Sequence, residues 1–146
     1  MHVEGTVDIA APRDAVWTYV TDPMRAGACG PGVESIEPLD ETRFRARAKV
    51  GIGFISATFV VDGEMSVAVP EEVAEVKAHG QAPGSAVDAT ATMRLSDGSP
   101  GNTVMDWQAD VTIAGSLASL GARLIEGTAN KMIAQTFACM KAKLEG

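Results

Sequence analysis

The stretch Ser116–Glu145, SLASLGARLIEGTANKMIAQTFACMKAKLE, decides the fold. It contains no proline. Leu117, Leu120, Leu124, Ile125, Met132, Ile133, Phe137, Met140 and Leu144 recur at steps that are mostly three and four. That spacing predicts one amphipathic helix, capped by the Ser116 hydroxyl and roughly 45 Å long at 1.5 Å per residue. A helix with a single apolar stripe needs an apolar surface to cover.

The preceding residues supply that surface. From Val33 to Ile113 the period is two. Phe44, Ala46, Ala48 and Val50 alternate with Arg43, Arg45, Arg47 and Lys49. Ile55, Ala57, Phe59, Val61 and Met65 share one face, as do Ala74, Val76 and Ala78. Val87, Ala89, Ala91, Met93 and Leu95 form a further row, and Met105, Trp107, Ala109, Val111 and Ile113 the last. One apolar face and one wet face, strand after strand, predicts an antiparallel sheet covered on one side. Turns are marked at Gly51-Ile52-Gly53, Val69-Pro70-Glu71, Ala82-Pro83-Gly84 and Asp97–Gly101. Ahead of these, Val3–Ile9 reads as a strand, Pro12 opens a short helix, and Asp22-Pro23 caps and starts a second. The order is strand, two short helices, six strands, long helix. This is an α+β helix-grip fold: a curved seven-stranded antiparallel sheet around a C-terminal helix, in one domain spanning residues 1–146.

The 146 residues carry a formal net charge of −7. An acidic chain lacks the cationic footprint that nucleic acid requires. The N-terminus has no basic segment followed by an apolar one, and no run approaches the roughly 20 apolar residues needed to span a bilayer. Cys29 and Cys139 have neither metal-ligand spacing nor the pattern of a disulfide framework, and are read as reduced thiols in a cytoplasmic protein.

The predicted interior is lined by small residues. Ala46, Ala48, Ala57, Ala74, Ala78, Ala89, Ala91 and Ala109 face Ala118, Gly121, Gly127, Thr128 and Ala129 of the helix. Either these surfaces approach closely, with Phe59, Met93 and Trp107 filling the gap, or they leave a cavity. The cavity reading places an apolar ligand among Ala57, Phe59, Val61, Ala91, Met93, Met105, Trp107, Leu120, Gly121, Leu124 and Thr128. In it, Gly121 lets the helix approach the sheet, or the ligand approach the helix.

Catalytic and metal constellations are absent from the pattern. His2 lies at the terminus and His79 on an outward face, neither with a partner suggested by spacing. Asp106 and Asp110 share an outward face, where pairing with Arg94 or a lysine is expected. One tyrosine, Tyr19, is little for a cyclase. No covalent cofactor is implied and catalysis is not expected. The outward row Arg43, Arg45, Arg47 and Lys49 is either paired with Asp62 and Glu64 of the next strand or forms a docking patch for an acidic partner or lipid headgroups.

Two groups of residues also carry a resemblance. Ala11-Pro12-Arg13-Asp14-Ala15-Val16-Trp17, Asp22-Pro23 and Cys29-Gly30-Pro31-Gly32-Val33-Glu34 form the first. Thr103-Val104-Met105-Asp106-Trp107 and Ala114–Ile125 form the second. Together they resemble the G-subunit family of carbon monoxide dehydrogenase, of the START-like polyketide cyclase superfamily, over nearly the whole chain. Gly30 departs from the bulkier apolar residue usual there. The resemblance implies an accessory protein for a molybdenum-containing carbon monoxide dehydrogenase or a relative. Its ligand would be a membrane quinone, menaquinone or ubiquinone, and it would touch the inner face of the cytoplasmic membrane peripherally. The rivals are a polyketide cyclase-like enzyme using the same cavity, and a recruitment factor with a collapsed core.

Overall fold

The computed structural model describes residues 1–146. Its elements are β1 (His2–Ile9), α1 (Arg13–Val20), α2 (Pro23–Gly27), β2 (Val33–Pro38), β3 (Arg43–Ile52), β4 (Ile55–Val69), β5 (Val73–Ala82), β6 (Ser85–Asp97), β7 (Thr103–Gly115), a 3₁₀ segment (Ser116–Leu120) and α3 (Ala122–Glu145). The strands form one seven-stranded sheet in the order β1-β7-β6-β5-β4-β3-β2. Every neighbouring pair is antiparallel. The α1–α2 connection therefore carries the chain from one sheet edge to the other.

The alternation read from the sequence is the alternation observed. Along β3, Arg43, Arg45, Arg47 and Lys49 are exposed, while Phe44, Ala46, Ala48 and Val50 turn inward. A strand has period two, so one register fixes both faces at once. Asp22 caps α2 as expected, its Oδ1 accepting from the Met24 N–H at 3.0 Å.

The C-terminal helix is shorter than its apolar spacing suggests. Ser116–Leu120 is a 3₁₀ turn, and the α-helix begins only at Ala122, which leaves 24 residues, or about 36 Å. Gly121 makes the break with φ +93°, in the positive-φ region that side chains resist. Leu117 stays buried across the break, so the apolar rhythm survives although the helix does not. The capping role expected of Ser116 falls away. Instead, its N–H donates to the Gly84 carbonyl at 2.8 Å and that of Leu117 to the Ser85 hydroxyl at 3.0 Å.

The two cysteines are also corrected. Cys29, just after α2, and Cys139, on α3, form a disulfide with Cα atoms 5.5 Å apart. The fold brings together two positions 110 residues apart that no local spacing could connect. In the chain-entropy description a bridge closing a loop of about 100 residues contributes roughly 4–5 kcal/mol. The expectation of reduced thiols fails, and the cytoplasmic assignment loses the support it took from them.

Candidate ligand-binding interior

The inward side chains gather into two separate apolar clusters. The first joins Ile9, Val16, Tyr19, Val20, Cys29, Leu95, Met105 and Met140, with Phe137 and Leu144 packed against it. It ties β1, α1, β6, β7 and the C-terminal half of α3 together. The N–H of Ala10 also donates to the Glu145 carboxylate there at 2.9 Å. The last turns of α3 thus pack on the core. The second cluster joins Ile52, Phe59, Ala82 and Leu117, with Val50, Ala57, Val61, Val87, Ile113 and Leu120 around it.

Between the clusters the sheet offers a strip of small residues. Ala78 pairs with Ala89, and Ala89 with Val111; Val76 pairs with Ala91, and Ala91 with Ala109. All of these remain half-exposed although α3 lies over this face. Along α3 itself, Met140 alone is buried. Large side chains close the gap between helix and sheet at one end, and alanines do not. The strip is therefore not filled by large side chains from α3.

Trp107 marks the boundary. Its ring lies over Gly5 of β1, where an added Cβ would sit 2.9 Å from the indole. On its other side it meets Phe137 of α3, with ring centroids 5.3 Å apart and planes tilted by 51°. Phe44 makes a similar use of a glycine, its ring covering Gly63.

The predicted site residues divide between these regions. Ala57, Phe59, Val61 and Leu120 meet in the second cluster. Met93 and Met105 belong with the first, and Met105 has no exposed surface, so it backs the wall and does not line it. Ala91 lies on the strip between them, and Thr128 is half-buried on α3 with its hydroxyl donating to the Leu124 carbonyl at 3.0 Å. Leu124 is 40% exposed at the rim, beside Gly53. Gly121 faces open space, so its role is the backbone bend and not close approach. The sequence reading missed Phe137 as the aromatic partner of Trp107. Its place in the helix stripe put it on the apolar face but did not name the strand residue opposite.

The interior is poor in polar groups. The inward rows of the sheet are apolar except near the ends, where Thr103 is fully buried and donates to the Ala11 carbonyl at 2.8 Å. Tyr19 is occupied elsewhere. Its hydroxyl lies 3.2 Å from the Cys29 sulfur, and burial raises its pKa against the opposing pull of Arg25.

Charge is concentrated on the outer face. Arg45 binds Asp62 at 2.7 Å, which raises the guanidinium pKa and lowers that of the carboxylate. Arg43 bonds Asp40 at 2.7 Å and not the expected Glu64. Arg47 and Lys49 have no ion-pair partner within 4.0 Å. Contrary to expectation, both histidines have carboxylate partners. His79 meets Asp88 at 2.6 Å, and His2 meets Asp110 at 2.8 Å and Glu4 at 3.1 Å, contacts that raise the His2 pKa. Asp106 accepts from Thr6 at 2.7 Å, so neither aspartate pairs with Arg94. All three histidine contacts are cross-strand or near-neighbour pairs on solvent-exposed surface.

Residues 5–145 match the sequence profile of CoxG, the G-subunit family of carbon monoxide dehydrogenase. The chain belongs to this family. No curated protein sequence matches it. Among solved structures, a conserved protein from Geobacillus kaustophilus superposes with a TM-score of 0.92 at 19% identity, covering 99% of this chain and 95% of that one. The Zhui aromatase/cyclase from Streptomyces sp. R1128 gives 0.73 at 19% identity, over 99% and 93% of the two chains. A START superfamily protein from Mycobacterium smegmatis gives 0.74 at 13% identity, over 99% and 97%. At these identities the likeness establishes the START-like fold of this CoxG-family chain. No helix of the protein is long and apolar enough to cross a membrane.

Proposed function

We propose that this CoxG-family protein holds an apolar small molecule of the quinone or isoprenoid class between its sheet and α3, and delivers it to a dehydrogenase. The observation that carries the reading is the half-exposed alanine strip of β5, β6 and β7 beneath the helix. Fully burying a side chain the size of Val or Leu is worth roughly 1.5–3 kcal/mol, so an apolar molecule covering this half-exposed strip is stabilised by the surface it buries. A flat ring with a hydrocarbon tail needs few polar anchors, which suits walls of Ala, Val, Phe and Trp. Family membership supports a carbon monoxide dehydrogenase or a relative as the acceptor of the ligand.

Carriage is preferred over catalysis because cyclase-like chemistry needs a titratable pair beside the substrate. The inward faces of the central strands present none, and both histidines lie on exposed surface.

Organic extraction of the purified protein followed by mass spectrometry tests the proposal, and a co-purifying quinone is the expected result. A second arm adds menaquinone to a Trp17→Phe variant, in which Trp107 is the remaining fluorophore. Quenching should saturate at one ligand per chain. No extracted lipid together with no quenching rejects the carrier reading.

A further inference from the structure

We infer that the Cys29–Cys139 bridge is a thiol–disulfide exchange site, at which a dithiol reductant attacks the Cys139 sulfur and Cys29 departs as a thiolate held by Tyr19. The two sulfurs differ in access. Cys29 is 6% exposed within the first apolar cluster, whereas Cys139, on α3, is half-buried at its margin. An attacking thiolate must reach its target, so Cys139 is the electrophile and Cys29 the leaving group.

The leaving group has a donor waiting for it. The Tyr19 hydroxyl lies 3.2 Å from the Cys29 sulfur in buried surroundings. A disulfide sulfur carries no proton, so the tyrosine donates; its other acceptor, the Arg25 carbonyl, is farther away at 3.4 Å. Burial raises the Tyr19 pKa, so the hydroxyl keeps its proton when a thiolate forms beside it. A hydrogen bond to a charged acceptor is stronger than one to a neutral acceptor, so this contact tightens as the S–S bond breaks. A better stabilised leaving thiolate departs faster.

The approach is open and carries positive charge. A groove runs past Tyr19, Arg25, Ala28 and Lys143, with Asp14 as its one carboxylate. Ala28 precedes Cys29 in the chain, and Lys143 stands about one helical turn beyond Cys139 on α3. Arg25 leans on Asp22 at 3.5 Å, while Lys143 has no ion-pair partner within 4.0 Å. Cations beside the bridge favour both the incoming thiolate and the released one.

The exchange balances. Attack forms a mixed disulfide between the reductant and Cys139 and frees the Cys29 thiolate. The second thiol of the reductant then displaces the Cys139 thiolate. The reductant leaves as a disulfide, the bridge takes up two electrons, and the two protons of the dithiol end on the two cysteines. Afterwards Phe137, Met140 and Leu144 still pack α3 onto the first cluster, but without a covalent fastening. The closed end thereby becomes a joint whose strength follows the thiol poise around it, and the alanine strip takes no part.

The test uses the folded full chain without denaturant. Alkylation before any reductant is added should label neither cysteine, and labelling of both overturns the site. With dithiothreitol, the reduction rate should rise in proportion to its concentration. A rate independent of concentration means that the bridge opens only when the chain unfolds, which also overturns the site. Glutathione, trapped after the first step by rapid alkylation, should be found on Cys139, with the alkyl group on Cys29, by peptide mass spectrometry. An adduct on Cys29, or an equal mixture, overturns the assignment of electrophile and leaving group. Tyr19→Phe should slow reduction about fivefold, as the loss of a hydrogen bond to a charged sulfur requires. A contact that only held the structure would speed reduction when removed, so a faster or unchanged rate sinks the role of Tyr19. Lys143→Gln, at an exposed position, should slow the anionic glutathione about twofold at low salt and leave no difference at high salt. Equal rates at low salt reject the cationic approach.

Discussion

The two ends of the sheet–helix sandwich are made from the same periodicities and have opposite character. At the α1 end, Ile9, Leu95, Met105 and Met140 interlock, a disulfide fastens α3 to the segment after α2, and exposures fall to 0–5%. Toward the hairpin end the alanine strip gives way to a smaller cluster of Ile52, Phe59, Ala82 and Leu117, the 3₁₀ turn replaces the expected helix, and Phe54 and Leu124 stand in solvent. The difference lies in side-chain volume and not in the pattern of polar and apolar residues. Large residues let a straight helix meet a curved sheet, and small ones leave it spanning a gap.

The largest way to break this comparison is to cut the fastening. The Cys29→Ala, Cys139→Ala double variant should lose roughly 4 kcal/mol of unfolding free energy in urea, and reductant should do the same to the wild type. A denaturation midpoint indifferent to reductant would mean that the closed end does not depend on the bridge. Menaquinone quenching of Trp107 measured below the transition should survive, because the bridge lies outside the open half.

Truncations compare packing directly. Met105→Ala removes a side chain with no exposed surface and should cost about 3 kcal/mol, in the usual range for a buried Met. Val61→Ala trims a half-exposed wall residue and should cost less than about 1 kcal/mol. Equal losses at the two sites, measured by thermal or urea unfolding, would show that the open end is as well packed as the closed one.

Filling the gap sharpens the contrast. On the carrier reading, Ala91→Phe should reduce quinone uptake about tenfold or more while changing stability by no more than about 1 kcal/mol, since Ala91 is half-exposed. Overpacking a filled core instead costs about 1–3 kcal/mol, and a loss of that size with normal uptake would place the ligand elsewhere.

The smallest effect is electrostatic and sits in the turn between β2 and β3. The Thr42 backbone N–H, then the Arg43 side chain and its N–H, hold the Asp40 pKa at about 2, below its usual 3.8. A carboxylate with a depressed folded pKa stabilises the fold above the unfolded value and loses that contribution as pH falls from 3.8 toward 2. Asp40→Asn should therefore flatten the acid limb of the stability curve between those values. An acid limb identical to the wild type's would show that the turn does not hold this charge.

Much of the fold was legible because it rests on periods. The rows Phe44–Val50, Val87–Leu95 and Met105–Ile113 each declare a face, and a face implies its cover. The interior was legible to the level of a face but not of a contact. That Trp107 rests between Gly5 and Phe137 depends on the β1–β7 register and on the rotation of α3, and neither is written in local spacing. The helix start misled for a definite reason. Leu117 and Leu120 keep the helical rhythm through the 3₁₀ turn, so periodicity could not see that Gly121 takes φ +93°.

By itself the sequence determined the α+β order of elements, which side chains turn inward, and that the inward ones are small, because alternation and volume are local properties. The tertiary structure alone decided the rest. It joined Cys29 to Cys139, gave His79 and His2 their carboxylates, separated the core into two clusters and left Phe54 exposed beside Leu124. Each of these is a meeting, or a failure to meet, between residues on different elements, and the distance between them is set by how the helix crosses the sheet.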